Sequence, residues 1–175
     1  MAESFNNKLT SSAGIVTTTT VASIGAAGTT ISGISTSGIS VGDMVDTVFF
    51  RGGTKVYSIA TTSVIVDKTS TNTTTASNQV VNFMGPTTVY TASSKSILVG
   101  GTFANLTDNS VSLYLEIGIG NTLVNLANDI PVPTGSSFVI SDAGKTILTP
   151  NQEIRVYSNT DNSLDVSLSI LEGVA

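Results

Sequence analysis

The sequence predicts an all-β protein built from two small β modules, of which the C-terminal one is an antiparallel β-sandwich. Three observations indicate this fold class. Apolar and polar residues alternate over short segments of the second half, which places one face of each strand in a core and the other in water. Turn-forming residues separate these segments at short, regular intervals. No segment carries a helical apolar stripe of useful length.

The second half contains the clearest strand signals. The predicted strands are Val89-Tyr90-Thr91, Ser96 to Leu106 with Ile97, Val99 and Phe103 inward and a bulge at Gly100-Gly101, Val111 to Ile117, Leu123-Val124, Ser137 to Ile140, Ile154 to Val156 and Leu164 to Ile170. Turns are expected at Ser141-Asp142-Ala143-Gly144 and at Asn159-Thr160-Asp161-Asn162, the second joining the last two strands as a hairpin. This number of strands and spacing favour an immunoglobulin-like or jelly-roll-like sandwich.

The first half has weaker strand signals because it is rich in Thr, Ser and Gly and poor in large apolar residues. Its predicted strands are Ile15-Val16, Val21 to Ile24, Thr30 to Ile39 in part, Val48-Phe49-Phe50, Thr54 to Ile59, Ser63 to Val66 and Val80 to Phe83. Arg51-Gly52-Gly53 suits a hairpin turn that needs positive φ. The Ser, Thr and Asn run from Lys68 to Asn78 is either an extended loop or a strand whose polar face meets a partner.

The domain boundaries follow from composition. Gly85-Pro86 frees the backbone and removes a ladder donor, so residues 84–88 are predicted to be a linker. Residues 1–83 then form an N-terminal arm plus a small β module, and residues 89–175 form the sandwich. Residues 1–12 have little apolar content, and we expect them to be an assembly arm that is disordered in an isolated monomer.

Composition bears directly on function. The chain of 175 residues has no His, Cys or Trp, only 11% charged residues, and roughly three Ser or Thr in every ten. It therefore lacks the side chains most used in acid–base catalysis, thiol chemistry and transition-metal binding. The net charge of −5 argues against nucleic-acid binding. No apolar run approaches the length needed to span a bilayer. We expect no enzyme activity, cofactor, nucleic-acid partner or membrane partner.

Two groups of polar residues are candidate sites. Asn159, Asp161, Ser163 and Asp165 alternate as in part of a calcium loop. Leu164 and Ile170 occupy the positions where such a loop needs a Gly and an acidic residue, so a hairpin tip is favoured over a metal site. Asp43 and Asp46 could form a glycosidase carboxylate pair. However, Gly42-Asp43 is typical of a turn, and no aromatic sugar platform lies near in sequence.

The aromatic residues Phe103, Tyr114 and Tyr157 are candidates for an exposed binding patch. Phe103 is predicted to be core. Tyr114 and Tyr157 fall on the polar faces of their strands, where cross-strand packing is favoured over a binding hot spot. The Ser and Thr content either keeps a low-charge surface soluble or provides hydroxyl-rich strand faces for another subunit, and the scarcity of charge favours the second.

Two parts of the chain resemble β modules of virion proteins from tailed bacteriophages. The first is Thr29 to Val45 with Gly53-Thr54-Lys55-Val56 and Val64 to Thr71. The second opens at Val89-Tyr90-Thr91-Ala92, continues through the Pro131 to Ser137 loop and the Gly144-Lys145 turn, and ends at Asp165 to Glu172. Such modules occur in capsid decoration, neck, tail and fibre proteins.

The resemblance implies a non-enzymatic virion protein assembled in the host cytoplasm. The leading expectation is a capsid decoration or cement protein that spans neighbouring subunits of the major capsid protein and is itself a homo-oligomer. It would stabilise the shell by binding only the assembled form. The alternatives are a neck, tail or fibre subunit, or an adhesin for the host surface; a glycan depolymerase is the least favoured.

Overall fold

The computed structural model describes residues 3–120, 122–141 and 145–174, and within these residues every regular element is a strand. The all-β prediction is therefore confirmed. In chain order the strands are β1 (Ser4–Ala13), β2 (Ile15–Ile24), β3 (Thr30–Ser32), β4 (Met44–Asp46), β5 (Val56–Ile59), β6 (Ser63–Val66), β7 (Ala76–Gly85), β8 (Thr87–Thr91), β9 (Ser96–Asn105), β10 (Val111–Ile119), β11 (Thr122–Val132), β12 (Ser137–Ile140), β13 (Thr146–Leu148), β14 (Glu153–Ser158) and β15 (Leu164–Glu172).

The sandwich consists of two antiparallel sheets over one core. Sheet I has the order β1-β15-β9-β12, with β13 also pairing with β9, and sheet II has the order β11-β10-β14-β8. Leu98 and Phe103 of sheet I share a buried cluster with Leu113, Leu115 and Val156 of sheet II. The alternation predicted for β10, β14 and β15 is confirmed, because the residues predicted to point inward on these strands are all buried.

The second unit, Ile15–Gly85, has its own core and one six-stranded sheet. Its sheet order is β4-β7-β2-β3-β6-β5. The two end strands are joined by backbone hydrogen bonds from Val56 N to Asp43 O (2.9 Å) and from Val45 N to Thr54 O (2.8 Å). These contacts cover part of both sheet ends, which limits exposed edge in a segment whose strands are mostly short.

The predicted domain boundaries need correction at the N-terminus. The sandwich unit comprises Met1–Gly14 together with Pro86–Ala175, so the second unit is inserted between β1 and β8. The predicted arm is an ordered strand, because β1 pairs with β15 from Ser4↔Glu172 to Ala13↔Leu164. The predicted linker at 84–88 is reduced to Pro86, since β7 ends at Gly85 and β8 begins at Thr87.

The predicted hairpin between the last two strands is wrong. β14 pairs with β10 and β8 in sheet II, whereas β15 pairs with β1 and β9 in sheet I. The turn at 159–162 therefore carries the chain from one sheet to the other. Asn162 adopts a φ of 50°, and its backbone N donates to Gly14 O at 3.0 Å. Turn chemistry shows that the chain reverses but not which sheet it enters.

The inward positions of β9 also differ from the prediction. Ser169 pairs with Gly100 and Ile170 with Leu98, so Val99 is an extra residue in a bulge. The bulge exchanges the two faces of the strand, and Leu98 rather than Ile97 or Val99 is buried alongside Phe103. The sequence indicated a bulge at Gly100-Gly101 but not its effect on the residues before it.

The inserted unit tests two further predictions, a strand at 48–50 and a turn at 51–53. Val48-Phe49-Phe50 is a turn and not a strand, with Phe50 N donating to Thr47 O and Phe50 buried in the core. The turn at Arg51-Gly52-Gly53 is confirmed, with Gly53 at φ 71° between β4 and β5. The turn predicted at 141–144 falls mostly outside the described residues.

Candidate interaction surface

The outer face of sheet I carries a continuous row of apolar side chains. Phe5 is the register partner of Leu171, Leu171 of Ile97, and Ile97 of Ile147. Residues directly opposite each other in a sheet point to the same side, so these four residues, the apolar row, share the face away from the core. Phe5 is 61% exposed and Ile147 is 60% exposed. Such an aligned exposed row is more informative than scattered surface apolar residues.

A second row of the same face mixes apolar and hydroxyl side chains. Leu9, Ser167, Thr102 and Val139 are successive register partners across the four strands. Leu9 is 75% exposed and Val139 is 56% exposed. A shallow groove of about 340 Å³ lies along this mixed row, and its lining residues are Leu9, Thr10, Ser11, Thr102, Ala104, Asp165, Val166 and Ser167.

The outer face of sheet I is almost free of charge. Among the described register partners whose side chains share this face, Asp165 is the one charged residue. Its Oδ1 accepts a hydrogen bond from Ser12 N at 3.0 Å. A partner that covered this face would therefore desolvate hydroxyls and apolar groups and few ions.

Strand β1 forms an edge of sheet I. Among the described strands it pairs with β15 alone, so the other side of its backbone joins no sheet ladder. The strand is held by the Glu172 carboxylate, which accepts from Asn6 Nδ2 at 2.7 Å and lies 3.2 Å from Lys8 Nζ. Tyr90 Oη also donates to Glu172 at 2.9 Å. Burial opposes ionisation, but the bonds from Tyr90, Lys8 and Asn6 lower the pKa of Glu172.

The three aromatic residues Phe103, Tyr114 and Tyr157 are all buried. Phe103 is core, as predicted. Tyr114 and Tyr157 are direct cross-strand neighbours, which agrees with the favoured packing interpretation. Their placement on an exposed polar face is wrong, because Tyr114 is 5% and Tyr157 is 0% exposed.

The buried hydroxyl of Tyr157 has a hydrogen-bond partner in Glu116. Tyr157 Oη donates to Glu116 Oε2 at 2.9 Å, and Glu116 is itself buried. Burial and the neighbouring Glu116 charge raise the pKa of Tyr157, so the phenol stays neutral and donates. A polar residue on the outer side of a strand is thus not necessarily in water, and these residues form a structural cluster rather than an exposed aromatic patch.

The four residues of the calcium-like pattern lie in or next to the turn at 159–162 that leads from sheet II to sheet I. Asn159 Oδ1 accepts from Ser112 N at 2.9 Å, and Ser163 Oγ lies 2.6 Å from Ser158 Oγ in a buried contact. Asp161 Oδ2 accepts from the neighbouring Asn162 side chain, and Asp165 faces Ser12, as described above. The side chains point to different partners, and no group of three or more His, Cys, Asp or Glu that could hold a metal occurs within the described residues.

Asp43 holds a turn in the inserted unit. Its Oδ2 accepts from Ser40 N at 2.8 Å, and its side chain is almost completely buried. Burial raises the pKa of Asp43, and the hydrogen bond from Ser40 partly offsets this effect. Asp46 lies at the end of β4 and is partly exposed. The arrangement accounts for Asp43 without catalytic chemistry.

The Ser, Thr and Asn run before β7 is chiefly a structural loop. Ser70 Oγ donates to Gly25 O at 2.9 Å and accepts from Gly28 N at 3.0 Å. Asn72 Nδ2 donates to Ile24 O at 3.1 Å. These bonds fasten the loop to the turn after β2, and the chain becomes a strand only at Ala76. Of the two alternatives, the extended loop describes most of this run.

Comparisons with known protein families, curated proteins and solved structures find no significant match. The described residues contain no helix long and apolar enough to cross a membrane. The sequence does not identify Phe5 and Leu9 as surface strand residues, because residues 1–12 are predicted to be a disordered arm. Phe5, Asn7 and Leu9 occupy alternate positions and so share one face of a strand, and this pattern is a signal that could have identified Phe5 and Leu9.

Proposed function

We propose that this chain is a non-enzymatic structural component of a bacteriophage particle, and specifically a capsid decoration or cement protein. The proposal combines the resemblance of the two modules to phage virion proteins with one structural observation. That observation is the nearly uncharged outer face of sheet I, where the apolar row and the mixed row are exposed together. A face of this kind suits docking onto a protein lattice by shape and apolar contact.

The proposed mechanism is stabilisation by preferential binding. The outer face of sheet I would cover neighbouring subunits of the major capsid protein and bury apolar area that each leaves exposed. Because the combined surface exists only in the assembled shell, binding favours assembly by mass action. The face offers few ions to desolvate, so its affinity would depend weakly on ionic strength.

Quantitative protein composition of purified particles tests this role. A decoration protein should be present in hundreds of copies, in a fixed ratio to the major capsid protein. A few to tens of copies would refute decoration and indicate a neck, tail or fibre subunit, or an adhesin. Absence from the particle would refute the virion role altogether.

A binding experiment tests the surface. Val139→Glu and Ile147→Glu each place a charge on the outer face of sheet I at side chains that are already more than half exposed. Both should reduce binding to particles stripped of the protein, without changing the far-ultraviolet circular dichroism. Val48→Glu is the matched control, since Val48 is 88% exposed in a loop of the inserted unit. Equal loss with the control would contradict docking through sheet I.

A further inference from the structure

The open side of β1 is a regular strand edge over Ser4–Thr10. Residues in this segment pair one-to-one with β15, and the first irregularity comes between Thr10 and Ala13. The segment contains no Pro, and its one basic residue, Lys8, is turned toward Glu172. Natural proteins usually block such an edge with Pro, bulges or inward charges. Ser4–Thr10 contains no Pro or bulge, and its one inward charge, Lys8, is paired with Glu172. An edge left regular over this length is suited to pair with another strand.

We propose that β1 pairs antiparallel with β1 of a second copy of this chain, about a twofold axis through Asn7. The sequence of the strand is the reason for choosing a second copy over a foreign strand. Asn7 is the midpoint of the regular segment Ser4–Thr10, and the apolar residues Phe5 and Leu9 lie symmetrically on either side of it. A twofold interface must be self-complementary, and apolar residues placed symmetrically about the axis meet each other across it.

The register follows from comparing the three central possibilities. A twofold axis perpendicular to the sheet keeps the outer faces of the two copies on the same side. Such an axis passes midway between the two copies of one residue, which then lie opposite each other. Centred on Asn7, it places Phe5 opposite Leu9 of the second copy, twice. Centred on Asn6, it places Phe5 opposite a polar Asn7, and centred on Lys8 it places two ammonium groups opposite each other. Apolar pairs stabilise antiparallel sheets and like charges destabilise them, which selects the Asn7 register.

The pairing would extend the outer face of sheet I across two copies. Phe5 is the last residue of the apolar row, and Leu9 is the last residue of the mixed row. Contact between them across the axis would join the apolar row of one copy to the mixed row of the second copy. The result is one continuous sheet with twice the exposed face. This inference does not rest on the virion role, because the pairing depends only on the chain itself.

Cross-linking tests the axis directly. The chain has no Cys, so Asn7→Cys introduces a single thiol. Across the proposed axis the two Cβ atoms lie about 5 Å apart, within reach of a disulfide or of a bis-maleimide with a two-carbon linker. Leu9→Cys is the matched control, since its two thiols would be separated along the strands by about 13 Å. We expect a cross-linked dimer from Asn7→Cys and little from Leu9→Cys.

Sedimentation velocity tests the register. Leu9→Lys and Phe5→Glu should each raise the dimer dissociation constant by about tenfold, because every substitution occurs twice in a symmetric interface. The combined variant should recover most of this loss, since the new carboxylate at position 5 faces the new ammonium at position 9. Val139→Lys, on the same face but away from β1, should leave dimerisation unchanged. Both side chains on β1 are largely exposed in one copy, so folding should persist.

Three results would overturn the inference. The first is a wild-type chain that remains monomeric at about 1 mM, the weak end of specific association, which would leave the edge to a different protein. The second is a dimer unaffected by Leu9→Lys, which would place the interface elsewhere. The third is equal cross-linking of the two Cys variants, which would indicate another register. Particle composition is independent of all three, so failure here and failure of the proposed function can be distinguished.

Discussion

Truncation of Leu98 tests the bulge that decides which residues of β9 face the core. Leu98 is 0% exposed, whereas Ile97 belongs to the partly exposed apolar row on the other face. Leu98→Ala removes three carbon atoms, worth about 2.4 kcal/mol at roughly 0.8 kcal/mol for each buried methylene. The cavity that remains should raise the loss of unfolding free energy to about 2.5–4 kcal/mol. Ile97→Ala should cost about 1 kcal/mol, because its side chain is not enclosed.

Urea unfolding at 25 °C, followed by tyrosine fluorescence, can measure both losses. Three of the four tyrosines lie in the sandwich unit and are buried, while Tyr57 of the inserted unit is 71% exposed. The signal therefore reports chiefly on the sandwich. Ile147→Ala, at a side chain 60% exposed, is the control and should stay within about 0.5 kcal/mol of wild type. A larger loss for Ile97→Ala than for Leu98→Ala would refute the bulged register.

Three further changes have defined outcomes. Tyr157→Phe should cost about 1–3 kcal/mol by removing a donor to buried Glu116. Because the folded pKa of Tyr157 is raised, wild-type stability should fall as pH rises above about 10, where unfolded tyrosine ionises first, and Tyr157→Phe should weaken this fall. Gly14→Ala should cost about 2 kcal/mol or more, since at φ +119° its Cβ would lie 2.6 Å from Thr160 O. Deleting residues 1–12 should lower the sandwich melting temperature by several degrees by removing most of β1.

Each of these changes has a control or a contradicting result. Tyr57→Phe should leave both stability and its pH dependence unchanged, because Tyr57 is exposed. Gly25→Ala should be nearly neutral, since a Cβ there meets nothing within 4 Å. An unchanged melting temperature after the deletion would show that β1 adds nothing to the sandwich and would restore the assembly-arm interpretation.

Strand alternation was predictable wherever a strand is regular and buried on one face. Val111, Leu113, Leu115 and Ile117 of β10 are all buried, as the period of two requires. The same reasoning failed at β9, where one extra residue, Val99, reverses the faces. A bulge is a property of a pair of strands, so one strand read alone does not reveal which residues it displaces.

The local sequence does not reveal which distant strands of the fold pair with each other. The turn before β15 has the same residue chemistry whether it closes a hairpin or leads to another sheet. The N-terminal strand has little apolar surface, and its order comes from β15 at the other end of the chain. Local composition therefore indicated an arm, while a long-range backbone ladder decides the observed structure.

The candidate surface was hidden for the same reason. Its apolar row combines Phe5, Ile97, Ile147 and Leu171, which come from four separate strands. Each of these residues alone is an ordinary strand residue, and only the register aligns them. Phe103 could be assigned to the core from its own strand, but no single segment predicts a face that four segments build.

The placement of charge explains how a chain of this composition can present such a face. Glu172 is committed to Asn6, Lys8 and Tyr90, and Asp43 to the backbone of Ser40. Lys68, in the inserted unit like Asp43, is used similarly: its Nζ donates to Gly53 O at 2.6 Å. These ions stabilise turns and strand edges of their own unit. The outer face of sheet I is left to hydroxyl and apolar groups, so any association through it should be governed by contact area and register and only weakly by salt.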